Sequence, residues 1–335
     1  MRFSRVGRTL VIGANWLGDT IMSLPALAAM AEMCSGDLHV LCPGPLGQVI
    51  GMAHLADGIW EHSKEASLME RVRLARRVGA KRAVLFPNSL RSALVVSLAG
   101  VSERWGYCTQ GRGPLLTHRV KVPKRRPNQH HSEHYLGLIR AMGWEGTPPR
   151  YSLAVPEEAW RWARSLLDDG EGPWVGICPG AAYGPAKRWP SRKFVELGRR
   201  LIGDLGAKVV LMGNRDEEPV LRQMCVEMGK GVVNLGGQTD LEGLAAAMKH
   251  CSTVVSNDSG PMHLAAALGV PVVAIFGSTD PSLTHPLGPH KILASKPPCS
   301  PCMRRKCPLG HYRCLEEISV EDVMRATEEF LLTSE

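Results

Sequence analysis

The stretch spanning residues 252–281, STVVSNDSGPMHLAAALGVPVVAIFGSTDP, constrains the fold of this chain more than any other. A β-branched run (253–255) breaks at Asn257-Asp258-Ser259-Gly260-Pro261, becomes helix-like over 263–268, and returns to an apolar run over 270–276. That order is a βαβ unit. Asp258 or Ser259 can cap the helix, Pro261 fits its first turn because a missing N–H costs nothing there, and Gly269 supplies the stop. With about two turns, the helix keeps its N-terminus close to the end of the preceding strand. Its free N–H groups and positive dipole end then face a crevice that can take a phosphate or diphosphate. Gly260 lets backbone approach such a ligand, and His263 in the first turn can donate to it. The plainer reading of the same residues is an ordinary capped helix with a core-facing histidine.

The same alternation runs through the rest of the chain. Residues 9–13 form a short apolar strand that ends in Ala14-Asn15-Trp16-Leu17-Gly18-Asp19, and the helical stretch TIMSLPALAAMAEMC follows. Strand, glycine-containing loop and helix open a doubly wound domain. The loop is neither GxGxxG nor GxxxxGKS, so it gives little support to a dinucleotide site or a P-loop. Asp19 stands at the carboxyl end of the first strand, where open α/β sheets bind ligands, unless it merely caps the helix. Further strands are expected at 38–42 and 82–86, with helices at 64–78, 89–98 and 132–143. The helix at 64–78 carries Arg71, Arg73, Arg76 and Arg77 on its polar side. A linker at 145–150 closes a first domain, 1–150. Helices and strands then alternate again through a second doubly wound domain, 151–318, before a last helix within 319–335.

Composition narrows the partners. A net charge of +8 favours an anionic one: nucleic acid, a membrane face or a phosphorylated substrate. No apolar run approaches the roughly 20 residues a bilayer span needs, and no signal-peptide pattern opens the chain, so a cytoplasmic protein is expected. From 104 to 132 there is no acidic residue; Arg104, Arg112, Arg119, Lys121, Lys124, Arg125 and Arg126 alternate with His118, His130 and His131. This stretch reads either as a solvated loop or as a mobile loop that binds an anionic acceptor through Lys124, Arg125 and Arg126. Four of the ten cysteines cluster as Cys299-x2-Cys302-x4-Cys307-x6-Cys314, with His311 among them. They could hold a structural zinc, remain free thiols in a packed loop, or include an oxidised pair. A zinc module beside a basic run would suit a nucleic-acid-binding protein, but that reading leaves the strand-end loops of the second domain unexplained.

Two more of those loops matter. Pro179-Gly180-Ala181-Ala182-Tyr183-Gly184-Pro185-Ala186-Lys187-Arg188-Trp189-Pro190 directly follows a strand, and Lys187 and Arg188 supply cations beside any phosphate held there. Gly213-Asn214-Arg215-Asp216-Glu217 ends the next strand, where Asp216 or Glu217 could hold ribose hydroxyls or an adenine amine. Together with the loop at Asp258, these suit a nucleotide diphosphate.

The combination of GANWLGDTIMSLPAL, PGAAYGPAKRWP and SNDSGPMHLAAALGVPVVAIFG, in this order, resembles the bacterial ADP-heptose:lipopolysaccharide heptosyltransferases, closest to the heptosyltransferase II branch. The resemblance implies a GT-B fold: two Rossmann-like domains about an interdomain cleft, the first binding the acceptor and the second the ADP-sugar, with the last helix crossing back to the first. It places the catalytic base at Asp19, the donor-phosphate lysine at Lys187 and the donor-binding turn at Asp258, Ser259, Gly260 and His263, and it puts the nucleoside contact on Asp216 or Glu217. It further implies ADP-heptose as donor, an anionic lipopolysaccharide inner core as acceptor, and work at the inner membrane surface. No DxD motif stands out at a strand end, so no cofactor is expected for catalysis. One base and no second carboxylate in the motifs favour inversion. Another GT-B nucleotide-sugar enzyme is the nearest alternative.

Overall fold

The computed structural model describes residues 7–34, 36–123, 128–167 and 172–332. The chain divides into two compact units, Met1–Ala154 and Val155–Glu335.

In the first unit, β1 (Thr9–Ile12) leads into α1 (Leu17–Cys34), β2 (Leu38–Pro43) into α2 (Gly44–Ala53), and β3 (Gly58–His62) into α3 (Leu68–Val78). Then come β4 (Arg82–Leu85), α4 (Leu90–Leu98), β5 (Glu103–Tyr107), β6 (His118–Val120) and α5 (Ser132–Ala141). The strands form one parallel sheet in the order β3-β2-β1-β4-β5-β6, with Val11 opposite both Val40 and Val84. The central strands β2 and β4 are buried along their whole length, as a sheet covered on both faces requires. Leu10, Leu41, Ala75, Val78 and Val95 form one core cluster, and Ala83, Leu85, Ala93, Val96, Val101 and Leu116 another. The start of α3 is secured by a capping box between Ser67 and Glu70, and its end by Gly79 at φ +68°.

The second unit repeats the pattern. Its elements are α6 (Glu157–Leu167), β7 (Trp174–Cys178), α7 (Ser191–Leu205), β8 (Lys208–Leu211), α8 (Glu218–Met228), β9 (Val232–Asn234) and α9 (Leu241–His250). They continue with β10 (Thr253–Asn257), α10 (Gly260–Ala267), β11 (Val272–Phe276), α11 (Pro281–Thr284), β12 (His290–Ala294), α12 (Arg313–Glu316) and α13 (Val320–Leu332). The parallel sheet runs β12-β11-β10-β7-β8-β9. Both sheets therefore grow outward from the first strand of their unit and reverse beside it, at β1/β4 and at β7/β10, which is the Rossmann order. The expected pair of Rossmann-like units is present.

In the last helix, Val320, Val323, Met324 and Ala326 are buried in the core of the second unit, with Val255, Val273 and Ile275. The helix at 241–250 is capped by Asp240, which accepts from the Gly243 N–H. The acid-free stretch, expected as a loop, contains most of β5, all of β6 and a 3₁₀ turn, Gly113–Leu115. Two of its cations hold the backbone together. Arg104 donates to the carbonyls of Val101 and Leu115. Arg112 is fully buried and donates to the carbonyls of Tyr107 and Pro87, to Ser92 Oγ and to Asn88 Oδ1. Burial lowers the Arg112 pKa to about 10. The acceptor candidates Lys124, Arg125 and Arg126 lie outside the described residues.

Candidate active site

In the second unit the strand order reverses between β7 and β10, the place where open α/β sheets bind ligands. The side chain of Asn257, fully buried at the end of β10, joins the two central strands: Nδ2 donates to the Pro179 carbonyl at 2.6 Å, and Oδ1 accepts from the Trp189 N–H at 3.0 Å. Asp258, only 3% exposed, follows it. Its Oδ2 accepts from Lys187 Nζ at 2.5 Å and from Thr279 Oγ1 at 2.5 Å, which joins the ends of β10 and β11 to the loop after β7. Asp258 is thus not the helix cap. Ser259 occupies that position, but its hydroxyl meets Ser256 Oγ at 3.3 Å and makes no cap bond, so no side chain takes up the first-turn amides of α10 there. Gly260 opens the helix. His263 is 4% exposed, the placement of the core-facing alternative.

On the other flank of β7, the Glu217 carboxylate accepts from the Asn214 N–H at 3.0 Å and lies over Gly180, where any Cβ would collide with it. Of the two acidic candidates, Glu217 is the one tucked between the ends of β7 and β8, and Asp216 is exposed. Arg188 braces its own loop by donating from Nε and Nη2 to the Ala181 carbonyl, at 3.2 and 3.1 Å.

In the first unit, Asp19 sits in the first turn of α1 rather than in the loop before it. Its side chain is one-third exposed. The helix start and a hydrogen bond from the Tyr135 hydroxyl both present positive dipole ends to the carboxylate, and His131 Nε2 lies 3.6 Å away. Burial, and then Asp19 itself, pushes the Tyr135 pKa well above its ordinary value, so the phenol stays a neutral donor. His131 stands edge-on to Tyr135 at 5.3 Å. These partners come from the start of α5, more than a hundred residues from Asp19, and no spacing in the chain signals them.

A pocket of about 300 Å³ opens at the first unit's own strand reversal, lined by Gly13, Asn15, His62, Arg71, Ser89 and Arg91 among others. Burial and the neighbouring Arg91 lower the Arg71 pKa. Burial lowers that of His62, with both arginines adding to the effect. The pocket has a positive field suited to a carboxylate or phosphate.

The four clustered cysteines line one small apolar space of about 30 Å³ together with Ala186 and Ser278. Their thiols are free. Among the described residues, no three or more His, Cys, Asp or Glu side chains are placed to hold a metal ion.

Residues 71–313 match the model of glycosyltransferase family 9 (heptosyltransferase). Lipopolysaccharide heptosyltransferase 2 of Escherichia coli K12 is 33% identical over 308 residues, covering 85% of this chain and 86% of that protein. Lipooligosaccharide heptosyltransferase 2 of Campylobacter jejuni (serotype O:2) is 32% identical over 331 residues, covering 96% and 97%. The solved structure of E. coli ADP-heptose lps heptosyltransferase II superposes with a TM-score of 0.83 at 27% identity, over 98% of this chain and 99% of that one. Two Rossmann-type units of this kind are the GT-B architecture, and the chain belongs to glycosyltransferase family 9, the heptosyltransferases.

Proposed function

We propose that this glycosyltransferase moves heptose from ADP-heptose to the heptose of a heptosyl-Kdo2-lipid A inner core, inverting the anomeric centre and requiring no metal. The observation that carries the donor half is the Lys187–Asp258–Thr279 cluster beside the first-turn amides of α10. A departing diphosphate gains negative charge, and a lysine fixed by a buried carboxylate beside a helix N-terminus is positioned to stabilise it. Glu217 is assigned to the nucleoside, since it lies at the mouth of the adjacent strand pair. Asp19 is assigned as the base: it takes the acceptor hydroxyl proton as the oxygen attacks the anomeric carbon and the bond to the diphosphate breaks. His131 and Tyr135 hold that carboxylate in place.

The Arg71–Arg91–His62 pocket supports an anionic acceptor, with a Kdo carboxylate or a lipid A phosphate as its occupant; Lys124, Arg125 and Arg126 belong to the same reading. Such an acceptor is anchored in a bilayer. Among the described residues, no helix is long and apolar enough to cross one. We therefore assign the enzyme to the cytoplasm, at the inner face of the membrane, and assign it no nucleic-acid partner. Calorimetric titration tests the reading: ADP should bind more tightly than UDP, and duplex DNA at moderate salt should not bind. Preference for UDP, or salt-resistant DNA binding, would refute it.

A further inference from the structure

The cysteine loop does more than enclose its own small cavity. Tyr183 Oη donates to the Met303 carbonyl at 2.8 Å, and the Ala186 N–H donates to the Arg305 carbonyl at 3.1 Å. The Ser278 N–H donates to the Ala186 carbonyl at 3.1 Å, and Ser278 Oγ to the Arg304 carbonyl at 2.9 Å. The loop that carries Lys187 is therefore bonded on one side to the end of β11 and on the other to residues 303–305. Gly184 makes this possible: its φ is +142°, and a Cβ there would lie 2.6 Å from the Arg305 carbonyl oxygen.

The side chains meet as the backbones do. Lys187 Nζ lies 4.8 Å from the centre of the Tyr183 ring, and the Arg305 guanidinium carbon lies 5.2 Å from it. One aromatic ring thus attracts two cations. They differ in one respect. Lys187 is paired with a buried carboxylate, whereas Arg305 is exposed and directed to the ring. A Lys–Asp pair adds direction but little net charge, so the diphosphate needs a further cation.

We propose that Arg305, carried on the cysteine loop and steered by Tyr183, is a second cation for the donor diphosphate, with a planar guanidinium able to grip two of its oxygens. The proposal rests on the donor-site reading given above, and its test separates the two. ADP and AMP affinities are measured by calorimetry for wild type, Arg305→Ala, Arg305→Gln, Lys187→Ala and, as a control on the same loop, Arg304→Ala. Arg305→Ala should weaken ADP about tenfold or more while changing AMP no more than about twofold, because the lost contact is to the terminal phosphate. Arg305→Gln keeps a polar side chain but removes the charge and should give the same split, so the test survives an unstable alanine variant. Arg304→Ala should bind both nucleotides as wild type does. If Arg305→Ala leaves ADP unchanged, or weakens ADP and AMP equally, the inference falls. If Lys187→Ala still loses ADP in that case, the donor site stands without Arg305; if neither variant loses ADP, both readings fall together.

Discussion

Replacing Lys187 by alanine should have two separable effects, because the ammonium group holds Asp258 and, in the proposed donor site, also meets the diphosphate. Asp258 is 3% exposed and the Lys187 side chain 12% exposed, so the variant leaves a buried carboxylate with the Thr279 hydroxyl as its remaining partner at that oxygen. Removing one member of a buried ion pair costs about 3–5 kcal/mol, and the surviving hydroxyl contact places this case near 3. At roughly 2–4 °C per kcal/mol for a unit of this size, the second unit should melt about 6–12 °C lower. The double variant Lys187→Met, Asp258→Asn removes the stranded charge and should recover most of that loss in a calorimetric scan. It should recover none of the ADP affinity. An unshifted melting transition in Lys187→Ala, or a double variant as unstable as the single one, would refute the claim that this pair is a buried, structurally coupled ion pair.

Asp19→Asn should retain wild-type ADP affinity and lose about 10²- to 10⁴-fold in transfer rate, measured by ADP release with saturating acceptor. Arg91→Gln should raise the acceptor KM about tenfold, the loss of one charge-assisted contact, with the donor KM unchanged. The same pocket predicts a pH dependence. The His62 pKa lies below its ordinary 6.5 because of burial and the two arginines, and a bound anion offsets the arginines and raises it. Binding therefore takes up a proton, and acceptor affinity should strengthen as pH falls through the interval between the free and bound values; His62→Asn should flatten that profile. Arg112→Met removes the guanidinium's bonds to the Tyr107 and Pro87 carbonyls, which keep Thr109 N–H and Ser92 Oγ as donors, and to Asn88 Oδ1; it should lower stability by about 1–3 kcal/mol in urea unfolding, with no selective effect on either substrate.

The interior of both sheets can be read from the chain because a parallel strand buried on both faces is built round apolar residues: LHVLCP, RAVL, WVGIC, KVVL, TVVSN and VVAIF each carry at least two adjacent ones, with their polar residues mostly at the ends. The strands that escape such reading stand at or next to an edge. GIWEH, HRV and HKILA are outermost in their sheets, half-exposed and free to carry charge, and ERWGY lies second from an edge. The basic run at 104–132 looked uniform because charge says nothing about the partner; in the fold, Arg112 is wholly inside and satisfied by carbonyls, while Lys121 is on the surface. At the candidate site, Lys187 and Asp258 are legible because each lies beyond a strand end in a recognisable loop, and Asp19 because it opens the helix after the first strand. Their partners are not. Thr279, His131 and Tyr135 reach them from other elements, and only the folded backbone brings them close.

A single inverting transfer from ADP-heptose onto a heptosylated inner core can be tested by incubating the purified chain with ADP-heptose and heptosyl-Kdo2-lipid A in EDTA and reading the product's anomeric configuration by NMR. One heptose should be added, with a configuration opposite to the donor's, at a rate that divalent cations do not raise. A product of retained configuration, or no transfer until a metal is supplied, would contradict it.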